Sequence, residues 1–157
     1  MATGTQTLAG TKIAFTASQP ASGLSGATLA EYEALTWTED DCTLENSPTI
    51  GRTYNAVSSN LVCKATNSDS KGSSKWDAIT FTMESDWGNA AQTILENAEK
   101  PNGGIVSYRL TFPNGNQVFG QGEVAKFTIS DGGSADDKDK RSVEIWPQMD
   151  DYVKKAA

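Results

Sequence analysis

Hydrophobic and polar residues alternate with a period of two in several stretches, and each such stretch predicts a half-buried strand. From Trp76 to Ser85, Ile79, Phe81 and Met83 fall on one side while Ala78, Thr80, Thr82 and Glu84 fall on the other. The pattern returns at Ile105, with Val106, Tyr108, Leu110 and Phe112 in one phase and Ser107, Arg109 and Thr111 in the other. Pro113-Asn114-Gly115-Asn116 follows directly, and Asn-Gly supplies the positive φ of a tight hairpin turn. The return strand spans Gln117 to Ser130, with Phe119, Ala125, Phe127 and Ile129 in phase, and Gly120 and Gly122 mark a bulge or a close backbone approach. Lys12–Thr16, Leu29–Thr38 and Arg141–Trp146 complete the predicted strands.

One segment changes period. Trp87, Ala91, Ile94, Leu95 and Ala98 recur at spacings of three and four, which places them on one stripe of a helix over about 86–99. Ser85-Asp86 offers its N-cap, and Pro101 with Gly103-Gly104 ends it. The sum is a mainly β chain, an antiparallel β-sandwich or barrel-like core with one flanking α-helix.

Residues 39–75 fit this scheme least, because they run long with weak periodicity and include Pro48, Gly51 and a polar tract at 67–74. A connection beyond about 12–15 residues usually binds something or is disordered. This one carries Ile50, Tyr54, Val57, Leu61 and Val62, and those apolar residues argue for a partner on a neighbouring molecule. Residues 1–10, with Leu8 as their apolar anchor, and residues 148–157, with Tyr152, read as arms around a core at 11–147. Leu8, Ile50, Tyr54, Val57, Leu61, Val62 and Tyr152 are therefore the candidate inter-subunit contacts.

The 157 residues suit one domain, which at that size buries roughly 70% of its unfolded surface. Thirteen basic residues against twenty acidic ones give a formal charge of −7, unsuited to gripping nucleic acid. There is no histidine, so the commonest general base and metal ligand are missing and enzyme chemistry is disfavoured. Cys42 and Cys63 read as two reduced, packed thiols. The N-terminus lacks a basic cluster followed by an apolar run, and no stretch approaches the ~20 apolar residues of a membrane span, which points to synthesis in the cytoplasm without a membrane anchor.

Motifs with chemical meaning fail on inspection. Gly120-Gln-Gly122 lies inside a strand pattern instead of opening a helix, so it is no nucleotide fingerprint. Asn67-x-Asp69-x-Lys71-Gly72 imitates half a calcium loop, but Lys71 stands at a ligand position and Ala78 replaces the bidentate glutamate. Paired acids such as Asp150/Asp151 and the group Asp136, Asp137 and Asp139 lie in solvated surroundings that do not raise a catalytic pKa. Trp37, Trp76, Trp87 and Trp146 are compatible with a sugar platform, and equally with core or subunit contacts. No cofactor is expected.

The ordered set of features resembles a known family. Trp76-Asp-Ala-Ile-Thr-Phe-Thr-Met-Glu84 leads into Asp86-x5-Gln92-x2-Leu95-x2-Ala98. Tyr108-Arg-Leu-Thr-Phe-Pro-Asn-Gly115, Phe119-Gly-Gln-Gly-Glu-Val-Ala-Lys-Phe127 and a closing Val143-Glu-Ile-Trp146 follow, with Lys71-Gly-Ser-Ser74 ahead. Over about residues 27–147 this is similar to the tail tube (major tail) proteins of siphophages, which are kin to the ring-forming tube proteins of type VI secretion.

The resemblance implies a non-enzymatic virion protein, assembled in the host cytoplasm, whose copies form hexameric rings stacked into a hollow tube. DNA passes through that tube, and the implied partners are further copies, the tape measure, the tail terminator and the baseplate or initiator proteins. It also implies that Lys64, Lys71, Lys75 and Arg109 pair with carboxylates across ring joints. A secretion-type tube ring protein and a monomeric carbohydrate-binding β-sandwich are the alternatives.

Overall fold

The computed structural model describes residues 9–40, 42–129 and 134–157. The main sheet is antiparallel throughout and runs in the order β2 (Thr38–Glu39), β1 (Lys12–Thr16), β6 (Ile105–Thr111), β7 (Gln117–Phe127), β8 (Lys140–Pro147), β5 (Ile79–Glu84). A short β9 (Val153–Lys155) pairs with the start of β7. Its two flanks are joined by one segment. Thr38 and Glu39 pair with β1, and five residues on from Glu39, Leu44 bridges to Met83 of β5. Asp40 donates its amide to Ile13, and Glu84 donates to the carbonyl of Thr43. The sheet thus curls until one stretch of chain touches both of its edges, the barrel-like core expected from the alternation.

The alternating residues do what their period requires. Ile79, Phe81 and Met83 face Val143 and Ile145 and share a core with Ile13, Phe15, Val106, Tyr108 and Leu110. Phe15 stacks on Phe81 with centroids 6.0 Å apart. Helix α2 (Ala90–Glu99) packs Ala91, Leu95 and Ala98 into the same core. The hairpin turn forms at 113–116, where Gly115 takes φ +88° and Phe112 exchanges backbone bonds with Gly115 and Asn116.

Both glycines of the return strand sit where no side chain fits. A Cβ on Gly120 would strike the ring and phenol oxygen of Tyr108, its cross-strand partner, and one on Gly122 would come within 2.7 Å of the Trp146 carbonyl oxygen. The bulge itself lies further along, between Val124 and Lys126. It breaks the expected phase, so Val124 is buried while Ala125 is exposed.

Four expectations are corrected. Leu29–Thr38 is not a strand: α1 (Leu29–Glu33) occupies its start, because Thr28 and Glu31 form a reciprocal capping box. Tyr32 then stacks on Phe119 of β7 at 5.5 Å and accepts from Gln121 of the same strand. Helix α2 is capped by Asn89, whose side chain accepts from Ala91 and Gln92, and not by Ser85-Asp86. Trp87 therefore lies before the helix, and Gln92 takes a buried place in its stead.

The stretch 39–75 is not one long loop, since β3 (Arg52–Ser59) and β4 (Ser68–Trp76) pair as a separate two-stranded sheet. Residues 148–157 are not a free arm. Met149 is buried in the core, β9 joins the sheet, and Ala157 donates its amide to Asn116 Oδ1. The N-terminal arm falls, for residues 1–8, outside the described residues.

A buried polar cluster fastens the closing segment to α2. The Asp40 carboxylate accepts from the amides of Thr43 (2.9 Å) and Leu44 (3.1 Å) and from Asn89 Nδ2 (2.8 Å). Gln92 Nε2 donates to Thr43 Oγ1 and the Glu84 carbonyl, and its Oε1 accepts from the Asp86 amide. Each polar group taken from water is thereby matched, which is the condition for burying it.

Candidate assembly surface

The hairpin β3–β4 is built from residues that favour a strand but bury almost nothing. Every residue of β3 after Arg52 is exposed, and of β4 only Gly72 and Trp76 are even partly covered. Its own side chains tie the two strands together: Asn55 Nδ2 donates to Ser73 Oγ at 2.9 Å, Ser58 Oγ donates to Asp69 Oδ1 at 2.6 Å, and the Lys71 ammonium lies 4.8 Å from the Tyr54 ring centre. The register shifts between Tyr54 and Ala56. Opposite that shift, a side chain on Gly72 would come within 2.8 Å of Val57 Cγ2 and 3.0 Å of the Asn55 carbonyl.

The root, by contrast, is held firmly. Asp77 donates its amide to Gly51 and accepts from Thr53 Oγ1 at 2.8 Å. The Arg52 guanidinium lies 4.1 Å from the Trp76 ring centre, 3.1 Å from Asp151 Oδ1 and 3.3 Å from the Asp150 carbonyl. Trp76 donates Nε1 to the Met149 carbonyl and meets Tyr152 edge-on at 5.6 Å. The hairpin is thus a projecting arm on a clamped base.

Of the candidate contacts, Tyr54, Val57, Leu61 and Val62 are brought together on this arm and are exposed, Val62 completely. Two are corrected. Ile50 packs against the protein's own core. Tyr152 is half-buried at the hairpin root, because the tail folds back. Leu8 lies outside the described residues. Arg109, expected to reach a neighbour, pairs with Glu39 at 2.8 Å and lies over Trp37 within its own chain. Lys64, Lys71 and Lys75 are all on the hairpin and have no salt bridge among the described residues.

The four tryptophans do not make one platform. Trp37 covers Phe119, Trp76 anchors the hairpin, and Trp87 lies on Arg141. Trp146 donates to Glu144 Oε1 and, with Trp76, lines an open groove of about 570 Å³. The sequence reading missed that Trp87 and Ile129 stay exposed. Spacing alone puts Trp87 on the helix stripe and Ile129 in the strand phase; the Asn89 cap and the bulge at Ala125 release them. Cys42 and Cys63 are free thiols, but both are exposed and not packed as expected. Among the described residues no group of three or more His, Cys, Asp or Glu is placed to hold a metal, and no helix is long and apolar enough to cross a membrane.

Two phenols are perturbed. Burial pushes the Tyr108 hydroxyl well above the usual tyrosine range. Burial also raises Tyr32, against a smaller opposing effect from Gln121, which donates Nε2 to its oxygen at 3.1 Å. Both oxygens are engaged within the protein, Tyr108 with Met149 Sδ and Tyr32 with Gln121 Nε2.

No protein-family model matches the chain, and no curated protein matches it in sequence. Among solved structures it is similar to a chain of the cryo-EM structure of the anti-feeding prophage (AFP) baseplate, sixfold symmetrised. The TM-score is 0.66 at 7% identity, over 99% of this chain and 98% of that one. At that identity the likeness is one of fold, from end to end of both chains.

Proposed function

We propose that this chain is a structural subunit of a phage-type tail or baseplate assembly, and more specifically that its copies form stacked rings, with hexamers as the expected ring, that build a tail tube. The observation that carries the reading is the hairpin. A two-stranded ribbon alone is marginal in water, and this one shows Tyr54, Val57, Leu61 and Val62 to solvent on an anchored base. Such a surface is stabilised when a second molecule covers it. The fold likeness to a chain of a sixfold-symmetrised phage-like baseplate supports a ring as the way copies come together.

In this reading the protein performs no catalysis. Its excess of carboxylates suits a conduit, since a wall that repels phosphates lets DNA slide without sticking. The tape measure, tail terminator and initiator proteins are its expected neighbours, and assembly takes place in the host cytoplasm before incorporation in the virion tail. A tube that conducts protein instead of DNA would use the same subunit contacts.

Electron microscopy of the purified protein at high concentration tests the proposal, with rings or tubes as the expected result. Residues 53–75 can be replaced by a short turn, because the Gly51 carbonyl and Asp77 amide already meet at 3.0 Å. That variant should remain folded and soluble and form no polymer. A wild-type protein that stays monomeric at every concentration, or a hairpinless variant that polymerises normally, would overturn the reading.

A further inference from the structure

The proposed assembly needs a surface that receives the hairpin, and a second exposed patch lies beyond the opposite end of β5. Trp76 at the hairpin root lies three residues before the start of β5, whereas Trp87 lies three residues past its other end; β5 is six residues, about 20 Å, long. Trp87 is 72% exposed yet held in place, its ring centre 4.8 Å from the buried Arg141 guanidinium. Beneath lies Phe127, 5.9 Å from the same guanidinium, and two residues further is the exposed Ile129. Arg141 Nη1 and Ser85 Oγ are both buried there without a hydrogen-bond partner, Asp139 Oδ2 lying 3.9 Å from the former. Tryptophan and arginine are enriched among binding hot spots, and buried donors without a partner call for an explanation.

Charge separates the two ends. Residues 52–76 carry four cations, Arg52, Lys64, Lys71 and Lys75, against the single carboxylate Asp69, while the remainder of this acidic chain carries nine cations against nineteen carboxylates. At the Trp87 end, Lys138 and Lys140 are engaged by Glu84 and Glu45. Asp86, Asp136 and Asp137 there are exposed and have no salt bridge among the described residues. One end is apolar and basic, the other apolar and acidic.

Resting on the assembly reading above, we infer that the hairpin of one copy docks on the Trp87–Ile129 end of the next copy, with Leu61 and Val62 against the aromatic patch and the hairpin lysines against Asp86, Asp136 and Asp137. Two unlike, complementary surfaces at opposite ends give a head-to-tail contact that extends along an axis, as stacking requires.

The two native cysteines report on this contact. Cys63 follows Val62 at the hairpin tip; Cys42, exposed and with φ +57°, precedes Thr43, whose carbonyl binds Glu84 at the receiving end. In assembled wild-type protein a short bismaleimide should produce a covalent ladder, with peptides joining Cys63 to Cys42. Cys63→Ser and Cys42→Ser should each abolish the ladder, whereas a hairpin-to-hairpin contact would survive Cys42→Ser. Lys64→Glu with Lys71→Glu should cut assembly at least tenfold, and adding Asp136→Lys with Asp137→Lys should restore most of it, circular dichroism confirming that each variant is folded.

Assemblies that yield no Cys42–Cys63 peptide and ignore the charge reversal would overturn this docking geometry and leave the assembly reading standing. Wild-type protein that never assembles would overturn both.

Discussion

The phenol of Tyr108 lies across the backbone of Gly120, its partner on the neighbouring strand, in the space that a side chain at residue 120 would need. Tyr108 is 2% exposed and its hydroxyl reaches toward Met149 Sδ at 3.8 Å, so the ring has nowhere to move. Gly120 keeps an ordinary backbone conformation, which makes its requirement one of volume and not of φ. Gly120→Ala is expected to cost about 1–3 kcal/mol through overpacking. Calorimetry should show a fall in Tm of roughly 3–10 °C, and an unchanged Tm would contradict the packing described.

Asp40 is the hub of the buried network between the closing segment and α2. Asp40→Ala would strand the amides of Thr43 and Leu44 and the side chain of Asn89. The expected loss is about 3 kcal/mol, read by urea unfolding. Accelerated amide exchange should be confined at first to residues near 43–44 and the start of α2.

Tyr32 and Tyr108 both have raised phenol pKa values, with burial as the principal cause. Folding therefore favours their protonated form. The stability this supplies is complete below the unfolded tyrosine value of about 10 and declines as pH rises toward the folded values. Ultraviolet titration should show phenols that resist ionisation until the protein unfolds. Ionisation of Tyr32 and Tyr108 near pH 10 in folded protein would refute their burial.

Val57 and Val62 stand on the hairpin with no core contact to lose. Val57→Asp combined with Val62→Asp should change stability by no more than about 0.5 kcal/mol per site, the usual range for exposed positions. The same variant should lose polymer in sedimentation. A large drop in Tm would mean that these valines serve the monomer.

Legibility in the sequence followed where the core is. Ile79, Phe81 and Met83 alternate because one face of β5 meets the core and the other does not, so their pattern alone locates the strand. Gly120 and Gly122 were legible as close approaches, because glycine inside a strand has few other uses. The hairpin was not legible as strands. With both of its faces in solvent, nothing imposes a period of two on Arg52–Trp76. Its Tyr54, Val57, Leu61 and Val62, which the sequence offers as candidate contacts, are exposed on it.

Other features were missed for nonlocal reasons. Tyr32 and Trp37 are good strand formers, and the Thr28/Glu31 capping box outweighed them locally. Residues 148–157 look featureless alone, because what holds them is the pocket for Met149 and the start of β7, laid down far earlier in the chain. The patch at Trp87 and Ile129 depends on a cap placed three residues late and on one extra residue at Ala125.

The clamp at the hairpin root joins parts of the chain that are almost a hundred residues apart, since Arg52 and Trp76 grip Asp150, Asp151, Met149 and Tyr152. The projecting ribbon behaves as a lever whose pivot is the tail. With the tail seated, the Arg52 and Trp76 contacts steady its direction; a molecule whose tail had come loose would be left with the Asp77 contacts to Gly51 and Thr53 as a hinge, and would lose its aim.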